Sequence, residues 1–295
     1  MGDPRLSDAE VLAYRRDGFV VVKNLVPEPV TLDALVAIDG LLCARDPHLA
    51  RSERSTVRQE IHGKICDLAA RDRAALASVY DAIRKVAPFW AMVGGEELVS
   101  AVRQLLSSES PGVIFRGCGI RLDLPGEDKW RSAWHQEYHS QMSSVRGVTA
   151  WFGLVPVTTQ MGPVELLPGS HERGVLPVRC PDPMNVGKNY TETFVLDDVD
   201  DLLTRYTRAS TETEVGDVVF LDFLTVHQSG HNRDPLRSRV TCQARYFDML
   251  EKEAVDHGWT GGWQEGGDFR KRHPEKVVAG SDSPARSPPE SRREG

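Results

Sequence analysis

No stretch of the 295 residues approaches the run of roughly 20 apolar positions that crosses a bilayer. The opening Met1-Gly-Asp-Pro-Arg has no apolar segment of the kind that directs export. Gly2 is not followed by a hydroxyl at position 6, so an acylation signal is not expected either. Cysteine is sparse. Cys43, Cys66, Cys118, Cys180 and Cys242 are odd in number, scattered and never spaced as C-x-x-C. That excludes a zinc knuckle and a disulfide framework, and leads us to expect free thiols in a reducing cytoplasm. A basic excess is missing too: 36 Lys and Arg face 43 Asp and Glu, for a net charge of −7. Nucleic acid and anionic membrane both call for a basic face, so neither is expected as a partner.

What is present changes character along the chain. Ser7-Asp-Ala-Glu10 has the spacing of a capping box and opens a short helix that Gly18 ends. Phe19-Val-Val-Val22 has the β-branched density of a strand. From Asp33 to about Cys43, Leu32, Leu35, Ile38 and Leu41 or Leu42 recur at helical spacing. Residues 72–87 and 95–107 also read as helices, parted by Pro88 and Gly94-Gly95. From Gly112 onward short strand-like runs take over: 113–122, 148–155, 164–167, 215–223 and 240–247. Pro125-Gly126, Gly162-Pro163, Pro168-Gly169 and Asp234-Pro235 punctuate them. Short strands with turn chemistry and no intervening helices predict an antiparallel sandwich or barrel, not a βαβ array. Residues 177–213 form a long polar connection of the kind that carries function, and residues 271–295 have the composition of a disordered tail.

The chemistry begins at Trp134-His135-Gln136-Glu137. His and a carboxylate two residues apart on a strand face the same way. A second histidine delivered from a distant strand would complete a facial set of two histidines and one carboxylate, which leaves positions open on iron(II). His227, at the end of Gly216-Asp-Val-Val-Phe-Leu-Asp-Phe-Leu-Thr-Val-His227, is the best candidate. Alone, H-x-E is a weak motif, as readily explained by polar side chains that face water. His139 is four residues from His135 and reads as a pocket residue. His171 belongs to a self-bonded Pro-Gly-Ser-His turn, and His231 falls in the turn after His227. His48, His62, His257 and His273 are expected at the surface. Arg121 and Asp123 share a strand face, either lining the pocket or forming a surface ion pair.

Four ordered blocks make the sequence resemble the phytanoyl-CoA dioxygenase family. They are Leu12-Ala-Tyr-Arg-Arg-Asp-Gly18-Phe-Val-Val-Val22; Trp134-His-Gln-Glu137, where the family usually has Asp; Ala150-Trp151-Phe-Gly-Leu154 with Met161-Gly-Pro-Val-Glu-Leu-Leu-Pro-Gly-Ser-His171; and His227-Gln-Ser-Gly-His-Asn232, followed by a basic run and Arg245-Tyr246. The resemblance implies a mainly β fold with flanking helices around a double-stranded β-helix (jelly-roll, cupin-like) core. It divides the chain into a single oxygenase domain over 1–270, helical over 1–110 and jelly-roll over 111–250, followed by the tail. It implies iron(II), 2-oxoglutarate and O₂, with His135, Glu137 and His227 on the metal and Ser229 and Trp151 near the co-substrate. An arginine beyond the distal histidine would clamp the far carboxylate. Counting leaves Arg237 and Arg239 with equal strand parity; the spacing to Arg245-Tyr246 favours Arg239. Arg121, Gln136 and His139 are candidates for the substrate side. The expected reaction is hydroxylation or another oxidation of an unactivated C–H bond in a small molecule of specialised metabolism. The alternatives are a jelly-roll metal enzyme of another class and a non-catalytic binding protein on the same fold.

Overall fold

The computed structural model describes residues 5–179, 194–262 and 267–278. The first third is helical, interrupted by one strand: α1 (Asp8–Asp17), β1 (Phe19–Val22), α2 (Glu28–Arg45), α3 (Val57–Arg71), α4 (Arg73–Ile83), α5 (Ala87–Val93) and α6 (Glu96–Leu106). The Ser7 capping box forms as its spacing predicts, and Gly18 closes α1 in the left-handed region at φ 75°. Helix α2 starts earlier than expected because Pro29 suits a first turn. Helix α3 was not expected at all: its apolar positions Val57, Ile61, Ile65 and Leu68 are diluted by charged neighbours, yet all four are buried.

Then come β2 (Pro111–Val113), β3 (Gly119–Asp123), the short helix α7 (Tyr138–Gln141), β4 (Gly147–Gly153), β5 (Val164–Leu166), β6 (Val178–Arg179), β7 (Val195–Leu196), α8 (Val199–Arg205), β8 (Ala209–Ser210), β9 (Val218–Asp222), β10 (His227–Ser229), β11 (Arg239–Asp248), α9 (Lys252–Asp256) and α10 (Phe269–Arg272). The expected strand over 113–122 is two strands, split by a 3₁₀ turn at Phe115–Gly117. The larger antiparallel sheet runs β1-β9-β4-β11-β2, with β3 also paired to β11; the smaller runs β10-β5-β8. This is the jelly-roll arrangement with helices on one face.

Strand alternation gives the two faces of the large sheet different tasks. Val148, Ala150 and Phe152 of β4 and Val240, Cys242, Ala244 and Tyr246 of β11 join one apolar cluster with the helices. Leu98, Ala101, Val102, Leu105 and Leu106, at i, i+3, i+4, i+7 and i+8, form the buried stripe of α6 in that cluster. Tyr246 donates its hydroxyl to the carbonyl of Val93 at 2.7 Å. The opposite face of the same strands carries Thr149, Trp151, Gln243 and Arg245, which line a cavity. Every residue of β4 is buried, as expected for a central strand covered on both sides.

Two expectations for the later segments change. The connection 177–213 has structure where it is described: β6 pairs with β7, and β8 extends the small sheet against β5. Residues 180–193, which include Cys180, lie outside the described residues. Residues 271–278, expected in the tail, are held against the body of the protein. Phe269 is fully buried against Tyr138, His139 and Phe194, and the Val278 N–H donates to the Val178 carbonyl. One aromatic anchor in a charged run is invisible to an averaged composition. Residues 279–295 lie outside the described residues. No helix among the described residues is long and apolar enough to cross a membrane.

Candidate active site

The two histidines meet through their own backbones. His135 and His227 form a reciprocal antiparallel bridge, His135 N–H to His227 carbonyl at 2.9 Å and the reverse at 3.0 Å. Their rings stand 4.2 Å apart. The H-x-E geometry differs from the expected strand pair. Only His135 sits on a bridge, whereas Glu137 has helical angles (φ −60°, ψ −35°) and caps α7. The chain turns there because the Tyr138 N–H is captured by the Phe223 carbonyl at 3.2 Å. Gln136 lies between, fully buried. Its amide donates to the carbonyls of Gly174 and Leu224 at 2.9 and 2.7 Å and accepts from Leu176 N–H at 2.9 Å. Gln136 therefore braces the loop and does not line the cavity, contrary to its expected place on the substrate side.

One nitrogen or oxygen from each of His135, Glu137 and His227 lies within 4.8 Å of the others. The outer nitrogens are committed: His135 Nδ1 donates to the Ala133 carbonyl at 2.7 Å and His227 Nδ1 to the Thr225 carbonyl at 2.8 Å. That fixes each tautomer and leaves the Nε2 lone pairs free, as metal-binding histidines require. Burial, reinforced by His135, pushes His227 down to about 3 despite the pull of Glu137. Burial would raise the Glu137 carboxyl, but the charge of Arg245, followed by His135 and His227, holds it at about 2. Two imidazoles with their Nε2 atoms turned toward a carboxylate are a donor set for a divalent cation of mixed N/O preference, iron(II) among them.

A small cavity opens over these groups. Trp151 and Ser229 line it, together with Val164, Leu221, Gln243 and Arg245. Other expectations are corrected. Arg237 is surface-exposed and pairs with Asp234 at 2.6 Å, so it faces away from the cavity. His139 points into the second apolar cluster. Burial lowers it to about 4, and it hydrogen-bonds the Leu176 carbonyl and meets the edge of Phe269. Arg121 pairs with Asp123 at 2.8 Å and donates to the Trp130 carbonyl, which decides for the ion pair over the pocket wall. Arg239 is buried and is not among the residues that line the cavity. Its Nε and Nη2 reach Asp123 at 3.2 and 3.0 Å, and its Nη1 serves the carbonyls of Met161 and Gly230. Of the remaining histidines, His62 and His273 are partly buried and hydrogen-bonded, to the Ser238 carbonyl and the Tyr138 hydroxyl. Sequence reasoning missed Thr149, Gln243 and Arg245 as site residues. Strand parity with Trp151 and Arg239 was the available signal.

A jelly-roll holding two histidines and a carboxylate defines a class of metal-site proteins, and comparison narrows it. The family model for phytanoyl-CoA dioxygenase matches residues 14–239, and the chain belongs to that family. Ectoine dioxygenase of Bordetella bronchiseptica is 28% identical over 247 residues, covering 79% of this chain and 74% of the relative. The epimerase SnoN, solved with Fe³⁺, α-ketoglutarate and nogalamycin RO, superposes with a TM-score of 0.57 at 17% identity, over 95% of this chain and 93% of that one. EctD from S. alaskensis, solved with 2-oxoglutarate and 5-hydroxyectoine, gives 0.51 at 20% identity, over 86% and 81%. At these identities the two structures attest the shared fold.

Proposed function

We propose that this protein is an iron(II)- and 2-oxoglutarate-dependent oxygenase that oxidises a C–H bond of a small molecule, with His135, Glu137 and His227 as the metal ligands. The observation that carries the reading is the convergence of these three buried or half-buried side chains, with the Nδ1–H groups of both histidines already spent on backbone carbonyls. Iron(II) supplies the oxygen chemistry, coupled to oxidation of 2-oxoglutarate to succinate and CO₂. The protein supplies position and dryness: Trp151, Val164 and Leu221 give the cavity an apolar wall. Ser229 and Trp151 are assigned to the co-substrate. Arg239 is assigned to its far carboxylate. Arg121, Asp123 and Arg239 together carry a net +1, so an anion is still attracted there.

The relatives named for ectoine act on a small molecule, and only that size class carries over. Ser132, Thr149, Gln228 and Gln243 favour a polar substrate. The four described cysteines are unpaired, which supports a reducing compartment such as the cytoplasm. The test is succinate formation from 2-oxoglutarate after anaerobic iron(II) loading and exposure to O₂. Wild type should turn over slowly without substrate. His135→Ala, Glu137→Ala and His227→Ala should each lose more than about 100-fold, since even partners outside the ligand set cost 10–100-fold. Failure of the wild type to bind either iron or 2-oxoglutarate would overturn the reading.

A further inference from the structure

Glu137 is one methylene longer than the aspartate usual at this place in the family, and its two oxygens meet different surroundings. Oε2 lies 3.8 Å from His227 Nε2 and accepts from the Thr149 hydroxyl at 3.3 Å. Oε1 lies 2.9 Å from Arg245 Nε, and the Ser140 hydroxyl and Gln141 amide approach the same oxygen at 3.5 and 3.4 Å. Arg245 is itself held in place. Its guanidinium donates to the Gly117 carbonyl and, at 2.9 Å, to Gln243 Oε1. Its side chain is 13% exposed. The Nε–H is buried and not lined up on any acceptor, so the contact with Glu137 is one of charge and proximity. A buried cation fixed by its own partners 2.9 Å from a carboxylate oxygen fixes the carboxylate in turn.

We propose that Arg245 is the positioning residue for the metal carboxylate. By occupying Oε1 it leaves Oε2 alone for the ion, so that the longer Glu137 offers one oxygen, not two, and keeps open a position at the triad that a two-oxygen carboxylate would cover. The extra methylene, about 1.5 Å of reach, is what brings Oε1 to Arg245. An aspartate at 137 would fall short of the guanidinium and would be limited to one oxygen by its own length. The inference rests on the metal reading above and assigns a task to a residue outside the ligand set.

The probe is Co(II) alone, added to the full-length apoprotein and followed by its visible ligand-field spectrum and its affinity. Co(II) failing to bind wild type would sink the metal reading itself, independently of Arg245. With binding established, Arg245→Met should change the spectrum and weaken Co(II) about tenfold, while Arg245→Lys, which keeps the charge, should restore the wild-type spectrum. In a Glu137→Asp background the Arg245→Met change should disappear. A merely structural Arg245 would lower the melting temperature and leave the spectrum alone; superimposable wild-type and Arg245→Met spectra would refute the proposal. Should Arg245→Met not fold, Gln243→Leu removes the support of Nη2 and must shift the spectrum in the same direction, or the proposal fails.

Discussion

Single residues carry the electrostatic decisions of this molecule. Asp123 is the counter-ion for both Arg121 and Arg239. Burial would raise its carboxyl, but the two guanidinium groups hold it well below the ordinary carboxylate range. Removing it leaves two poorly solvated cations facing each other, with side chains 17% and 3% exposed. Breaking a buried pair from one side costs about 3–5 kcal/mol, so Asp123→Ala should lower the unfolding free energy by roughly 3 kcal/mol in urea titration. A change under about 0.5 kcal/mol would mean that water reaches the pair. The H-x-E motif and His227 were legible because metal chemistry restricts which side chains can serve. Arg245 was not. Arg239 and Arg245 share strand parity, and parity cannot say which end of β11 sits beside Glu137. Nor could spacing reveal that Gln136 and His139, flanking the metal carboxylate, turn inward to brace backbone carbonyls.

At the scale of elements, the junction of α1 and β1 shows how local and distant demands coincide. Gly18 stops α1 in a left-handed conformation, which its place at a helix end already suggested. The structure adds a second reason. A Cβ on Gly18 would lie 2.3 Å from Thr225 Oγ1 and 2.5 Å from His171 Nδ1. The Gly18 carbonyl also accepts from that threonine hydroxyl at 2.7 Å, and the Thr225 carbonyl holds His227 Nδ1. Gly18→Ala should therefore destabilise by more than the ~1–2 kcal/mol of left-handed strain alone, read as a drop in melting temperature. Because Thr225 also orients His227, iron(II) affinity should fall with it. An alanine variant as stable as wild type would contradict the close approach. Helix α7 was illegible for a related reason: four residues are too few for periodicity, and the turn at Glu137 is imposed by the Phe223 carbonyl from a distant part of the chain.

Over the whole molecule, the helical layer and the jelly-roll share one apolar cluster, and polar links also join them. His62 of α3 donates Nδ1–H to the Ser238 carbonyl at 2.8 Å, beside the start of β11. Burial lowers its pKa from 6.5. The unfolded chain takes up a proton below about 6.5 that the folded chain resists. The contribution of neutral His62 is complete above that pH and is lost as pH falls through the folded value. Wild type should therefore lose more stability than His62→Gln between pH 7 and 5 in thermal melts, and parallel curves would remove His62 from the account.

The sequence by itself determined the alternation of strands, the capping box, the helices with clean apolar stripes and the three residues able to serve as metal ligands. Each depends on local periodicity or on side-chain chemistry that few residues possess. Tertiary structure alone decided that α3 is buried, that Phe269 draws the chain's later segment onto Tyr138, that Arg237 faces solvent while Arg239 is locked to Asp123, and that Arg245 stands beside Glu137. Such contacts join residues far apart in the chain, 116 positions for Asp123 and Arg239, and no local pattern records which partner a buried charge or ring will meet.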